Sequence, residues 1–408
     1  MFRRERNFGK MIKLSDFRIE LDFEEEEIKE KICKKLKINK ENISKIKILK
    51  KSVDARNKND VHFRYSFGII TDLSEDVIIK KIKDKNISII KNEEIIHNYK
   101  NIKFKKNKPV IVGAGPAGLF CALELTKYGI TPILIERGKC VEERKKDVEK
   151  FWKSGKLDPN SNVQFGEGGA GTFSDGKLTT GLNDMRIKQI LKEFVDLGAN
   201  EQILYSYKPH IGTDILENVI RNLRNKLISL GVDIRFETKL EKIIKKDGKV
   251  IKIEVSKKTE NNIEKYEIET EDVVLAIGHS ARDTFEMLYE NGIFLEQKNF
   301  SVGARIEQLQ ETINKSQYGK FWNHKNLGAT DYKLSKHFEN GRGAYSFCVC
   351  PGGQVVASSS EEGHLVVNGM SKFLRNEKNI NGALLVGVGK EDFKSEHPLA
   401  RNVFSKRN

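Results

Sequence analysis

Several things are scarce in this chain, and each shortage excludes something. There are five cysteines in 408 residues, Cys33, Cys121, Cys140, Cys348 and Cys350. Their odd number and scattered spacing rule out a disulfide framework and suit a reducing cytoplasm. Long apolar runs are absent. The two longest uncharged stretches, 343–360 and 109–123, are interrupted by glycine, proline and serine. A membrane span needs about 20 mainly apolar residues, so none is expected. The opening MFRRERNFGKMIKL has basic residues but no apolar stretch behind them, so no secretory signal is read there. No Ser/His/Asp nucleophile set, no cluster of metal ligands and no internal repeat appears.

What the chain does have is charge. There are 73 Lys+Arg against 58 Asp+Glu, a net +15. Hydrophobic residues make up 38% and charged residues 32%, which predicts a sizeable core under a heavily charged surface. The length predicts two or three domains. The charge is uneven: residues 1–108 carry 29 Lys+Arg and 18 Asp+Glu, net +11. Such a segment can attract nucleic acid or an acidic partner, or it can simply use Lys as its default surface residue. The aromatic stacking pattern of an RNA reader is missing, which favours the second reading.

Residues 16–23 (DFRIELDF) alternate like a strand, and 24–36 follow as a helix with Ile28, Ile32, Cys33 and Leu36 on one face. Strands are expected over 43–53, 61–71 and 87–90, with a helix after Ser74. This β-α-β-β-α-β order predicts a ferredoxin-like α+β domain over 1–97. Residues 98–108 read as a linker. A short apolar strand, 109–112, then runs into GAGPAG and a helix over 117–128. A second strand, 131–135, ends in Glu136-Arg137-Gly138. Residues 151–184 read as a long glycine-rich loop. Helices over 186–197 and 214–230 lead to a strand at 232–236. Three strands then meander through 239–269, turned first by Asp247-Gly248. A last apolar strand, 273–277, ends at Gly278. Residues 292–408 hold short runs of antiparallel β character.

Gly113, Gly115 and Gly118 form G-x-G-x-x-G between a strand and a helix. The first glycine permits the tight turn, the second lets the backbone approach a diphosphate, and the third lets the helix pack on the strand. The helix start after Pro116, from Ala117 on, offers unpaired N–H groups to the phosphates. Glu136 closes the next strand, 18 residues after Gly118, where a carboxylate accepts from ribose hydroxyls. A dinucleotide site at Gly113–Gly118 and Glu136 is the expectation.

The meander and the strand ending Ala276-Ile277-Gly278 resemble the FAD domain of the glutathione-reductase-like flavoproteins. No second dinucleotide turn is convincing; Gly387-Val388-Gly389 lacks the third glycine. Longer segments sharpen the likeness: QFGEGGAGTFSDGKL (164–178), PHIGT (209–213), AIGHSARDT (276–284), GARIE (303–307), YSFCVCPGG (345–353) and NGMS (368–371). Together they resemble the bacterial FAD-dependent protein family of NAD(P)/FAD-dependent dehydrogenases. The likeness covers nearly all of 10–400. It implies an α/β fold: a Rossmann-like FAD-binding domain with a β-meander crossover over 109–291, and a β-rich substrate domain over 292–408. It implies FAD as cofactor, with NAD(P)H a candidate reductant, and a cytoplasmic oxidoreductase of unidentified small-molecule substrate. The expected cofactor contacts are Gly113, Ala114, Gly115, Pro116, Ala117, Gly118, Glu136, Arg137, Gly168, Gly169, Gly171, Thr172, Ala276, Gly278 and His279.

Such flavoproteins close the FAD domain with a Gly-Asp or Gly-Glu loop and a helix near the flavin. No such motif follows Asn291. The expectation is a truncated chain or a site completed by a partner or an oligomer. Catalytic candidates are His279, an acid or base near neutral pH, and Arg305 with Glu307, spaced to share one face of a strand. A structural ion pair explains Arg305 and Glu307 equally well. Cys348 and Cys350 suit a buried pair of small residues better than a redox couple, and His210 is a weaker candidate. Two alternatives stay open: a non-catalytic nucleotide-binding remnant, and a flavoprotein held to nucleic acid by its basic N-terminal domain.

Overall fold

The computed structural model describes residues 10–91, 106–259, 262–400 and 402. The opening stretch up to residue 9 and most of the expected linker lie outside these. The contacts divide the chain into two compact units. The first gathers 1–97, 177–210 and 310–330; the second gathers 98–176, 211–309 and 331–408.

The first unit runs β1 (Lys10–Ile19), α1 (Glu25–Leu36), β2 (Ile43–Asp54), β3 (His62–Thr71), α2 (Glu75–Ile82) and β4 (Ile87–Lys91). The sheet is antiparallel in the order β2-β3-β1-β4, that of a ferredoxin-like fold. Central β3 is buried along nearly its whole length, as a strand flanked on both sides must be. α1 turns Ile32, Cys33 and Leu36 onto the sheet, carries three glutamates in its first turn and stops at Lys37 in the left-handed region. Phe63, Tyr65 and Phe67 form the core, and Tyr318 joins it from the 310–330 segment.

The second unit begins with β5 (Val110–Val112), α3 (Pro116–Lys127), β6 (Ile133–Ile135) and α4 (Val141–Ser154). α5 (Arg186–Asp196) belongs to the first unit. The second resumes with α6 (Thr213–Ser229), β7 (Asp233–Arg235), β8 (Thr238–Lys246), β9 (Lys249–Lys258), β10 (Ile263–Glu269), β11 (Val273–Leu275) and α7 (Arg282–Glu290). Strands β11, β5, β6 and β7 lie side by side in that order, all parallel. β8, β9 and β10 form a separate antiparallel meander. The apolar faces of sheet and meander pack together through Val110, Val112, Ile133, Ile135, Leu240, Ile253 and Val255.

Helix α4 is absent from the sequence reading, which opens the glycine-rich loop at residue 151 and places no helix between Gly138 and that point. The reason is chemical. Of its 14 residues only Val141, Arg144 and Val148 are buried, so the inward stripe is interrupted by an arginine.

The chain ends with β12 (Phe300–Leu309), α8 (Gln310–Tyr318, in the first unit), β13 (Ser335–His337), β14 (Gly343–Ala357), β15 (Val367–Ser371) and β16 (Asn379–Val388). Their antiparallel sheet runs β12-β16-β14-β13, with β15 on the far end of β14. Among the described residues no helix is long and apolar enough to cross a membrane.

Candidate functional site

Buried β5 delivers the chain into the glycine turn. Gly113 has φ +105°, and its N–H donates to the Ile135 carbonyl at 2.8 Å. A side chain there would strike the Ala276 carbonyl, and one at Gly118 would strike the carbonyl of Gly113. These two glycines are demanded by the protein's own packing. Gly115 is different. A β-carbon there would meet only the Gly169 Cα, at an ordinary 3.8 Å. Its bareness opens the helix start instead, where the first N–H groups of α3 carry the positive end of the helix dipole.

The turn forms one wall of a cleft of about 600 Å³. Gly113, Gly115, Pro116, Ala117, Glu136, Arg137, Gly169, Ala276, Gly278 and His279 line it. Ala114, Gly118, Gly168, Gly171 and Thr172 do not: Ala114 and Thr172 are buried behind the wall, and the Gly168 N–H donates to the Ala114 carbonyl. Leu240, Phe285 and Leu288 add apolar surface from the meander and α7.

Glu136 reaches the cleft with its carboxylate largely committed. Oε1 accepts the N–H groups of Gly138 (2.9 Å) and Gly166 (3.0 Å), and Oε2 accepts that of Ala114 at 2.8 Å. The residue is 6% exposed. It therefore ties the glycine turn, the end of β6 and the glycine-rich loop together. A carboxylate has about four acceptor positions, so one remains, on Oε2.

Arg137 lies over the Phe165 ring at 4.5 Å and forks onto Asp283, with a further bond to the Thr284 hydroxyl at 2.7 Å. Burial would raise the Asp283 pKa, but Arg137 and Lys239 outweigh it and hold the carboxyl down at about 2. Gln164 connects three segments. Its Nε2 donates to the Ser358 carbonyl and hydroxyl, and its Oε1 accepts from the Ser280 hydroxyl at 3.3 Å. Ser280 Oγ also stands 3.0 Å from Nδ1 of His279, so the imidazole is steadied at the cleft mouth.

The residue that organises the glycine-rich loop was invisible as such in the sequence. Arg144 of α4 is 0% exposed. Its guanidinium donates to five main-chain carbonyls: Asn162 (2.8 Å), Val163 (2.9 Å), Gly166 (3.3 Å), Glu167 (2.6 Å) and Gly169 (2.9 Å). Burial pushes its pKa down to about 10, opposed by the nearby Glu136 and Glu167 carboxylates, so it stays cationic at neutral pH. The Arg144 side chain fills the place a Gly166 side chain would take. Gly166 is thus a packing glycine, not one that bares the backbone to a ligand. Glu167 is buried behind the loop, accepting from the Val141 N–H at 2.8 Å and Arg224 at 2.7 Å. Burial lifts its pKa to about 7.

Other candidates fall outside the cleft. Arg305 Nη1 donates to the Cys348 carbonyl and to Asn381 Oδ1, and Glu307 is exposed on the same strand. Cys350 is buried with its thiol 3.4 Å from the Cys348 carbonyl. Ser174 bonds within its own turn. His210 lies in the first unit, bridged to Lys177.

Comparison with known proteins agrees with this architecture. Residues 107–161 match an FAD binding domain, 299–408 match the C-terminal domain-like model of an FAD-dependent protein, and 11–69 match a domain of unknown function. An uncharacterized protein of Clostridium beijerinckii is 48% identical over 389 residues, covering 95% of this chain and 71% of that one. Among solved structures, the flavin-dependent brominase Bmp2 is 14% identical with a TM-score of 0.37, over 74% of this chain and 61% of its own. A flavoprotein/dehydrogenase from Cytophaga hutchinsonii is 15% identical with a TM-score of 0.32, over 70% and 56%. The chain thus spans less than two thirds of either solved relative. It belongs to the bacterial FAD-dependent protein family.

Proposed function

We propose that the chain is an FAD-dependent oxidoreductase whose cofactor lies along the cleft of the second unit. The single observation that carries this is the turn. Gly113 and Gly118 are required by the fold, whereas Gly115 is bare toward the cleft at a helix start. The first N–H groups of α3 would hold the diphosphate, and the remaining acceptor position of Glu136 Oε2 would receive the adenosine ribose. Arg137 and Leu240 flank the adenine end, and Gly278 and His279 stand toward the flavin end.

FAD bound there supplies hydride or electron transfer; the protein supplies position and electrostatics. Arg144 and Glu136 hold the loop and the turn at fixed spacing. His279, steadied by Ser280 and Gln164, is placed to hold or pass a proton at the cleft mouth. The test is to purify the chain, record its visible spectrum, titrate it with FAD and add NADH or NADPH. A bound-flavin spectrum bleached by one nicotinamide supports the proposal. An apoprotein that takes ADP but no FAD overturns the flavin assignment.

A further inference from the structure

A second cleft, of about 630 Å³, opens on the antiparallel sheet of the second unit. The strand register puts Ser301 of β12, Leu385 and Gly387 of β16, and Tyr345 and Phe347 of β14 on one face, and all five line this cleft. The volume suits a small molecule.

Three features describe its occupant. First, Gly387 sits inside a strand without need: a β-carbon there would meet nothing within 4 Å, and its φ is not in the left-handed region. Glycine weakens a strand, and one that the fold does not require marks a place where something approaches the backbone closely. Second, Phe347 is 57% exposed beside Leu385, leaving an aromatic face and an aliphatic wall in contact with water. Third, the Ser301 and Tyr345 hydroxyls bond to each other at 2.6 Å across Gly387. Two hydroxyls sharing one proton leave the other proton, and free lone pairs, for a ligand oxygen. Among the described residues that line it, the cation Arg342 is committed to Asp392 and the Gly387 carbonyl, and Glu391 adds a negative charge. A carboxylate ligand is therefore disfavoured.

We propose that this face is a binding site for a flat, uncharged aromatic molecule carrying a hydroxyl or carbonyl oxygen. The ring lies on Gly387 beside Leu385, with Phe347 next along the same face beyond Leu385, and the oxygen meets the Ser301–Tyr345 pair. The site is distinct from the glycine-turn cleft and does not rest on the FAD reading.

The test is isothermal titration of the full chain with 1-naphthol, a planar bicycle with one hydroxyl. Wild type is expected to bind saturably at one site. Gly387→Val places a strand-favouring side chain in the open space, so folding is retained while affinity falls at least about tenfold. Tyr345→Phe keeps the ring and lowers affinity about fivefold through the lost hydroxyl. FAD titration of both variants is expected to match wild type, which separates failure here from failure of the cofactor proposal. Absence of saturable binding to wild type, or unchanged binding to Gly387→Val with an unchanged melting temperature, overturns the inference.

Discussion

Replacing Arg144 by methionine tests the site's architecture most directly. Methionine preserves much of the stem and removes all five donated bonds. The carbonyls of Asn162, Val163, Glu167 and Gly169 each lose a bond of 2.9 Å or shorter from Arg144. Each buried acceptor left without a donor costs about 1–3 kcal/mol. The losses do not add, because the loop relaxes and admits water. Removing a buried charge that neighbours have been built around typically costs about 3–5 kcal/mol, and that range is expected here. The buried Glu167 carboxylate also loses a nearby cation, so it becomes harder to keep ionised. Since Glu136 accepts the Gly166 N–H, a loosened loop also releases one of the three bonds that orient that carboxylate. The expected result is a melting temperature lowered by several degrees together with FAD affinity lowered more than about tenfold. Arg144→Lys separates the two effects: the charge is kept, but a point ammonium cannot span five carbonyls, so stability recovers further than FAD affinity. If Arg144→Met melts within a degree of wild type and binds FAD equally, the loop is not organised by this guanidinium and the reasoning fails.

The remaining predictions concern single positions. Gly115→Ala is expected to fold normally, since its β-carbon meets only Gly169 Cα at 3.8 Å, yet to weaken FAD binding at least about tenfold. Gly118→Ala, which collides with the Gly113 carbonyl, is expected to lose about 1–3 kcal/mol of stability in a urea melt. Equal FAD affinity in Gly115→Ala and wild type would contradict the diphosphate placement. Burial raises Glu167 from 4.5 to about 7, so between those values the folded state holds a proton that the unfolded state has released. Its contribution to stability is therefore greatest below pH 4.5, falls by about 3 kcal/mol as pH rises to 7, and is flat beyond. Measured against Glu167→Gln, wild type should lose ground across that window; parallel stability–pH curves for the two proteins would refute the burial argument.

Much of this protein is written locally. Apolar alternation marks the strands of the ferredoxin-like unit, although the first, read over 16–23, lies at Lys10–Ile19, and Asp247-Gly248 marks the hairpin between β8 and β9. The strand–glycine–helix sequence at 110–127 announces the tight glycine turn, because a tight turn and a close helix approach exclude side chains whatever lies around them. Helix α4 escaped because one of its three buried positions is an arginine, and patterning reads arginine as surface. The glycines at 113, 115, 118 and 166 look alike on paper. Only the neighbours of each show that three make room for the protein itself, while the fourth, Gly115, leaves open space at the cleft. Likewise Glu136 was legible as an acid at a strand end, but not as the acceptor of N–H groups 22 residues before it and 30 after it. Composition and periodicity act over a few residues and so determined the elements and the kind of turn. The meeting of Arg144 with five carbonyls, and of Ser301 with Tyr345 across an empty glycine, depends on chain segments brought together from a distance, and that only the tertiary structure decided.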